Sequence, residues 1–314
     1  MKAIIMAGGE GTRLRPLTCD IPKPMTRLCG RPVLSYILDL LSRHDIREAA
    51  VTMQYLPHVI TSAYEETYRD IRLTFVEEEK PLGTAGCVRY AAGQNYDEKE
   101  DILVISGDSL TDIDLTDALA FHKNTQAAVT LVVTKVADPR EYGLVEYMDN
   151  GRVTGFIEKP GWAQVMTDAA NTGIYILSPE VLSYIPENQS YDFAKDLFPR
   201  LLQEGMPLFA YETKAYWCDI GDLHTYVSCQ RDILEGRVEN DAIESGDGII
   251  YMGEKPAGQY TLIPPVYIGR HVQIGTAAQI GPFAVLDNDC HVGNNAKVRG
   301  SVLLESSYAG DGTA

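Results

Sequence analysis

Residues 2–25 read KAIIMAGGEGTRLRPLTCDIPKPM, and this stretch decides the fold. Ala3-Ile4-Ile5-Met6 is a short apolar run with the length of a buried strand. Ala7-Gly8-Gly9-Glu10-Gly11-Thr12 follows without a break. Three glycines in four positions let the backbone approach a ligand and turn several N–H groups on one centre, which suits phosphate. Arg13 and Lys23 bring two cations, and Arg15 a third. A guanidinium forks two phosphate oxygens, whereas an ammonium acts as a point charge. Pro22 and Pro24 bracket Lys23 and stiffen its backbone. The plain alternative for a lone glycine cluster is a tight turn with ordinary surface cations. The density of glycines and cations here argues against it.

The rest of the chain alternates strand and helix patterns. Residues 32–43 carry Val33, Leu34, Ile37, Leu40 and Leu41 at helical spacing. Strands are expected at 49–53, 73–76 and 102–105, with helices over 57–68, 82–92 and 115–123 between and after them. A strand rich in β-branched residues covers 127–136. Residues 144–147 and 153–157 read as a hairpin around Asp149-Asn150-Gly151. Residues 171–177 form another strand, 193–203 a helix, 216–221 the end of a strand, and 223–234 the last helix. Such alternation predicts an α/β, Rossmann-like, mostly parallel sheet with helices on both faces. Ligands then bind beyond the carboxyl ends of the strands, where the glycine loop and Ser106-Gly107-Asp108 both fall.

A polar stretch over 235–261 reads as a connector. A repeat follows: Leu262, Ile268, Ile274, Ile280, Leu286, Val292, Val298 and Leu304 recur every six residues. Val266, Val272, Ala278, Ala284, Cys290, Ala296 and Val302 fill a second track, and Gly269, Gly275, Gly281 and Gly293 follow four of the first. This period suits a hexapeptide β-helix. The division expected is therefore 1–234, a connector at 235–261, and a partial β-helix over 262–314. No capping element closes the repeat, so a longer native polypeptide is expected.

Composition narrows the partners. The chain has 314 residues, 45% of them apolar, enough for two domains. No apolar run approaches the ~18 residues of a membrane span, and Lys2 with few apolar residues after it is not a signal peptide. The six cysteines form no CxxC pair and no zinc spacing. They read as reduced thiols of a cytoplasmic protein. A formal net charge of −17 opposes nucleic acid as a partner. An acidic protein can still take a phosphate ligand, provided the pocket is locally basic.

The spacing G-G-x-G is neither the dinucleotide fingerprint nor a Walker A loop. The pattern GGxGTRLxPLT…PKP is carried by Gly8, Gly9, Gly11, Thr12, Arg13, Leu14, Pro16, Leu17, Thr18, Pro22, Lys23 and Pro24. It resembles the signature of the nucleoside-diphosphate-sugar pyrophosphorylases, the sugar-1-phosphate nucleotidyltransferases, and the likeness runs to about residue 230. The hexad repeat resembles the left-handed β-helix of hexapeptide-repeat proteins. Gly30-Arg31-Pro32-Val33-Leu34 and Leu82-Gly83-Thr84-Ala85-Gly86 look more like the mannose-1-phosphate guanylyltransferases than the short thymidylyltransferases.

The resemblance implies a nucleoside triphosphate and a sugar 1-phosphate giving a nucleoside-diphosphate sugar and pyrophosphate. Phosphates already supply nucleophile and leaving group, so the protein mainly positions them and neutralises charge. It further implies that Arg13, Lys23 and Asp108 carry catalysis, and that Ala7, Gly8, Gly9, Gly11, Thr12, Gly83 and Thr84 meet the nucleotide. Gly143, Glu158, Lys159, Asn171 and Gly173 would meet the sugar phosphate. Asp108 and Asp219 would hold Mg²⁺, which is usually bound by one or two carboxylates plus substrate phosphates. Cap or turn duty is the plain alternative for each Asp, and for Thr84 a helix cap.

GTP with mannose 1-phosphate is the expected pair; glucose 1-phosphate with UTP, dTTP or ATP is the alternative. A homo-oligomer or a further C-terminal domain is expected at the β-helix. Two other classes stand beside the enzyme: a non-catalytic nucleotide-sugar sensor, and a dinucleotide dehydrogenase, which the glycine spacing disfavours. His271 or His291 could suggest acyl transfer, but neither shows ligand spacing.

Overall fold

The structure is a computed structural model that describes residues 1–95, 100–239 and 247–314. Its main strands are Lys2–Met6 (β1), Glu48–Met53 (β2), Ile71–Glu77 (β3), Ile102–Ser106 (β4), Ser109–Thr111 (β5), Val129–Lys135 (β6), Gly143–Tyr147 (β7), Val153–Glu158 (β8), Ala169–Leu177 (β9), Leu208–Thr213 (β10) and Trp217–Asp219 (β11). The helices are Val33–Arg43 (α1), Pro57–Ala63 (α2), Gly83–Asn95 (α3), Leu115–Thr125 (α4), Phe198–Gln203 (α5) and Leu223–Leu234 (α6). By its contacts the described chain divides into two compact units. One comprises 1–25 and 37–219, the other 26–36 and 220–314.

In the first unit β1 lies between β2 and β4, parallel to both, and β3 extends the parallel set beyond β2. Beyond β4 the sheet turns antiparallel. β9 pairs with β4 through Ile174–Leu177 and with β7 at Ala170, while β6 runs along its other edge and β10 pairs parallel with β6. Alternate residues of the central strands are buried on opposite faces. Ile4, Ala50 and Val104 join a core with Val88 and Ala91 of α3 and with Phe193 and Phe198. Ala3, Ile5, Leu103 and Ile105 point the other way and are fully buried too. A parallel sheet requires such cover on both faces.

Two helices depart from the sequence expectation. The helix expected over 57–68 ends at Ala63, and Thr67–Tyr68 instead pairs with the start of β3 around a left-handed Arg69. The helix expected over 193–203 begins with a wide π turn, Phe193–Leu197, before α5. Pro199 has no N–H to donate to the preceding turn, so regular α winding cannot run through it.

In the second unit three parallel ladders form the β-helix. Ile268 stands over Leu286, Ile274 over Val292 and Ile280 over Val298, which puts three hexads in one coil. Both sequence tracks line its core, from Val266 to Val298. The glycines allow coils to close at the corners: a Cβ on Gly275 would come 2.6 Å from the Asn294 nitrogen. The ladders begin earlier than the hexads suggest. Ile249–Tyr251, inside the stretch read as a connector, pairs parallel with Val266–Ile268. Residues 240–246 of that stretch lie outside the described residues.

The hexad also breaks once. Leu303, not Leu304, stands over Leu286, and Ala309 stands over Val292. The corner Arg299-Gly300-Ser301 is one residue shorter than its counterpart on the coil below, and Gly300 takes a left-handed φ of 56° there. Leu304 is left 41% exposed. Leu303→Ala should therefore lower unfolding free energy by about 1–2 kcal/mol, and Leu304→Ala by less than about 0.5. Denaturant titration checks the order, and the reverse order would mean that the hexads run unbroken.

Candidate active site

The carboxyl ends of β1 and β4 place the glycine loop beside Asp108. Gly107 N donates to Met6 O at 2.9 Å. A Cβ on Gly107 would approach that oxygen to 2.7 Å, so only glycine lets the strands come this close. Ala7 uses its N–H on Thr52 O at 3.0 Å. The N–H groups of Gly8, Gly9 and Gly11 meet no acceptor among the described residues, which leaves a ligand three donors. Gly11 is left-handed, and Thr18 Oγ1 donates to its carbonyl at 2.8 Å. Thr12 and Arg13 are exposed on the turn that follows.

Lys23 links the loop to two carboxylates. Its Nζ lies 2.5 Å from Asp108 Oδ2 and 3.1 Å from Asp219 Oδ1. The two carboxylates therefore converge on one cation position. A ladder outside the main sheet brings them together: β5 runs antiparallel to β11, with Asp219 opposite Ser109. Thr111 Oγ1 and Asp112 Oδ1 bond the backbone of Tyr216 and secure its start. Ser106 Oγ donates to Asp108 Oδ1 at 2.5 Å and orients it. Sequence reasoning missed this hydroxyl as a site group, although it stands in the Ser106-Gly107-Asp108 run.

The charges are unevenly shared. Burial pushes the Asp219 carboxyl up, the Asp108 charge adds to this, and Lys23 and Arg13 only partly oppose it. Burial also acts against Asp108, but the closer Lys23 outweighs it and holds this carboxyl low. Burial opposes the Lys23 ammonium, and the two carboxylates together outweigh it and raise its pKa. Two converging carboxylates sharing one cation suit a divalent ion completed by phosphate oxygens and water. The donor set thus fits Mg²⁺.

Of the residues expected at the sugar phosphate, Gly143 and Glu158 are cross-strand partners, and a Cβ on Gly143 would come 2.7 Å from Glu158 Oε2. Lys159 follows, exposed and left-handed at φ 45°. β9 bulges between Asn171 and Tyr175. Asn171 spans the bulge: its amide donates to Tyr175 OH, and its oxygen accepts Gly173 N. Gly173 is left-handed, with Ser106 Cβ 3.1 Å from where its own Cβ would be. Trp217 Nε1 donates to Thr172 O and ties β11 to the same bulge.

In the loop expected to meet the nucleotide, Gly83 and Gly86 abut the backbone of Tyr191 and Gln189, closer than any Cβ allows. The Thr84 hydroxyl donates to Asp192 Oδ2 and accepts Phe193 N. Glu78, absent from the sequence expectations, is buried between Gly8 and Leu82.

The chain belongs to the nucleotidyl transferase family, whose model matches residues 2–236. It is 34% identical to a UTP–glucose-1-phosphate uridylyltransferase of Synechocystis, over 99% of this chain and 85% of that protein. It is 30% identical to a mannose-1-phosphate guanylyltransferase of Mycobacterium tuberculosis, over 91% and 79%. Among solved structures, HddC from Yersinia pseudotuberculosis superposes with a TM-score of 0.64 at 26% identity, covering 74% of this chain and 99% of that one. No described helix is long and apolar enough to cross a membrane.

Thr84→Val removes one bond and leaves Phe193 N without its acceptor. Stability should fall by about 1–2 kcal/mol, with nucleotide affinity unchanged. Lost affinity at unchanged stability, read by calorimetry and denaturant titration, would make Thr84 a nucleotide ligand instead.

Proposed function

We propose that the protein transfers a nucleoside monophosphate from a triphosphate to a sugar 1-phosphate and releases pyrophosphate, with GTP and mannose 1-phosphate as its pair. The observation that carries the reaction is the convergence of Lys23, Asp108 and Asp219 beside a loop of free N–H donors. The sugar-phosphate oxygen attacks the α-phosphorus in line. Gly8, Gly9 and Gly11 N–H groups hold the triphosphate, and Arg13 and Lys23 take up the charge gathering on the departing pyrophosphate. Lys159 meets the sugar phosphate and Glu158 a sugar hydroxyl, while Gly143, Asn171 and Gly173 shape the space for the ring. Asp108 and Asp219 hold Mg²⁺, which when bound offsets repulsion between the two reacting phosphates.

The choice of base and sugar draws on the relatives. The M. tuberculosis protein is named for GTP chemistry and the Synechocystis protein for UTP and glucose 1-phosphate. HddC, also more than a quarter identical, was solved in complex with GMP-PN. No disulfide joins the six cysteines, which supports a cytoplasmic enzyme. The β-helix serves assembly in this reading, and the exposed Leu304 and Tyr308 offer a surface for a second copy.

Asp108→Asn and Asp219→Asn keep the side-chain shape and remove the charge. Turnover at saturating Mg²⁺, followed by pyrophosphate release, should fall ~10²-fold or more in each. The double variant should lose little more, since the pair acts as a unit. Near-normal turnover in both single variants would defeat the assignment. UTP or dTTP with glucose 1-phosphate outrunning GTP with mannose 1-phosphate would overturn the substrate pair alone.

A further inference from the structure

Residues 159–168 join β8 to β9 and begin with Lys159. At the start of this loop Lys159 N donates to Tyr142 O at 3.2 Å, and at its end Asp168 O accepts Val136 N at 3.0 Å. Between these anchors Trp162 opens a short 3₁₀ turn and is 70% exposed. A tryptophan left this open gains little from burial. Its ring lies instead over Arg140, with the guanidinium carbon 4.2 Å from the ring centroid. Arg140 is itself fixed. Its Nε donates to Asp138 Oδ1 at 2.8 Å, its Nη2 donates to Oδ2, and Oδ1 also accepts Arg140 N at 3.2 Å. Forked on one carboxylate, the guanidinium keeps its plane and offers a face to an aromatic ring. Pro139 stiffens the turn, and the Tyr142 ring packs on Trp217 with centroids 5.4 Å apart. Residues 138–142 are therefore the firm side of the contact. Lys159 is the side that needs holding. It is left-handed at φ 45°, and its side chain is exposed. Such a backbone persists in a non-glycine residue only where its surroundings impose it.

We propose that Trp162 and Arg140 act as one positioning unit for the sugar phosphate: their stack pins the loop after β8 to the turn before β7, and so fixes the backbone from which Lys159 reaches its ligand. This rests on the reading of Lys159 as the cation that meets the sugar phosphate. The stack works together with the Lys159 N–H on Tyr142 O, which holds the same loop from its other side. Neither Trp162 nor Arg140 has to touch the substrate. The triphosphate is bound by a different stretch, the glycine loop with Arg13 and Lys23, so the stack bears on one substrate and not on the other. A guanidinium needs a flat ring beneath it, which a phenyl side chain supplies and a methyl group does not.

Initial rates of pyrophosphate release compare wild type with Trp162→Ala, Trp162→Phe, Arg140→Ala and the double alanine variant. GTP and UTP are each offered with mannose 1-phosphate and glucose 1-phosphate, and the pair that wild type turns over fastest is used throughout. In each alanine variant the KM for the sugar 1-phosphate should rise roughly 3- to 10-fold, the scale of one cation–π contact. The KM for the triphosphate and the melting temperature should stay at their wild-type values. Trp162→Phe should recover most of the lost affinity. The double variant should lose no more than the worse single one, since the two residues make one contact. An unchanged sugar-phosphate KM in Trp162→Ala overturns the proposal, and so does a double variant that multiplies the two single effects. Equal rises in both KM values overturn it too, because the pair would then support the whole site rather than the loop. A Lys159→Ala protein with a wild-type sugar-phosphate KM would instead remove the role of Lys159 on which the proposal stands.

Discussion

One ammonium holds two carboxylates in the first unit, and the site depends on it. Without Lys23, Asp108 and Asp219 would face each other as half-buried like charges, and the proton would be held more readily by one of them. Lys23 sits closer to Asp108, so that carboxylate is the firmly ionised member. Asp219 is left with the deficit. The arrangement is one cation short of neutral, which is the condition under which a divalent ion binds well and a lone phosphate does not.

Backbone constraints deliver these groups. Gly107 lets β4 run on past β1 toward Asp108, and the short β5–β11 ladder then carries Asp219 to the same point. The bulge of β9, locked by Asn171 and by the indole of Trp217, sets the opposite wall. Gly173 and Gly143 work by omission: each leaves room that a side chain would fill, against Ser106 and Glu158 respectively. The rigid parts are strands and their ends, as positioning chemistry requires.

Much of this was legible in the sequence because it is local. The apolar run before the glycines, the hairpin at Asp149-Asn150-Gly151 and the hexad tracks each declare themselves within a few residues. The meeting of Asp108 and Asp219 was expected from the strand order of a doubly wound sheet. The geometry comes instead from pairing of residues 109–111 with 217–219, a long-range ladder with no periodic signal. Glu78 hid in an acidic run, Glu77-Glu78-Glu79, that reads as a solvated face, and only tertiary packing tells its middle member from its neighbours. The unbroken hexad was a reading of spacing alone: a one-residue loss at a corner keeps the apolar character but shifts which leucine faces inward. Thr84 shows the converse, since its hydroxyl is committed to Asp192 and Phe193, more than a hundred residues away in sequence.

The same logic reconciles an acidic protein with an anionic substrate. Against a net charge of −17, the loop gathers cations of its own. Arg13 reaches far enough to ease Asp219, Lys23 offsets both aspartates, and the backbone contributes neutral donors. Burial pushes the Glu78 carboxyl beside Gly8 above its usual range and favours its neutral form, which lessens the negative charge on that flank of the loop.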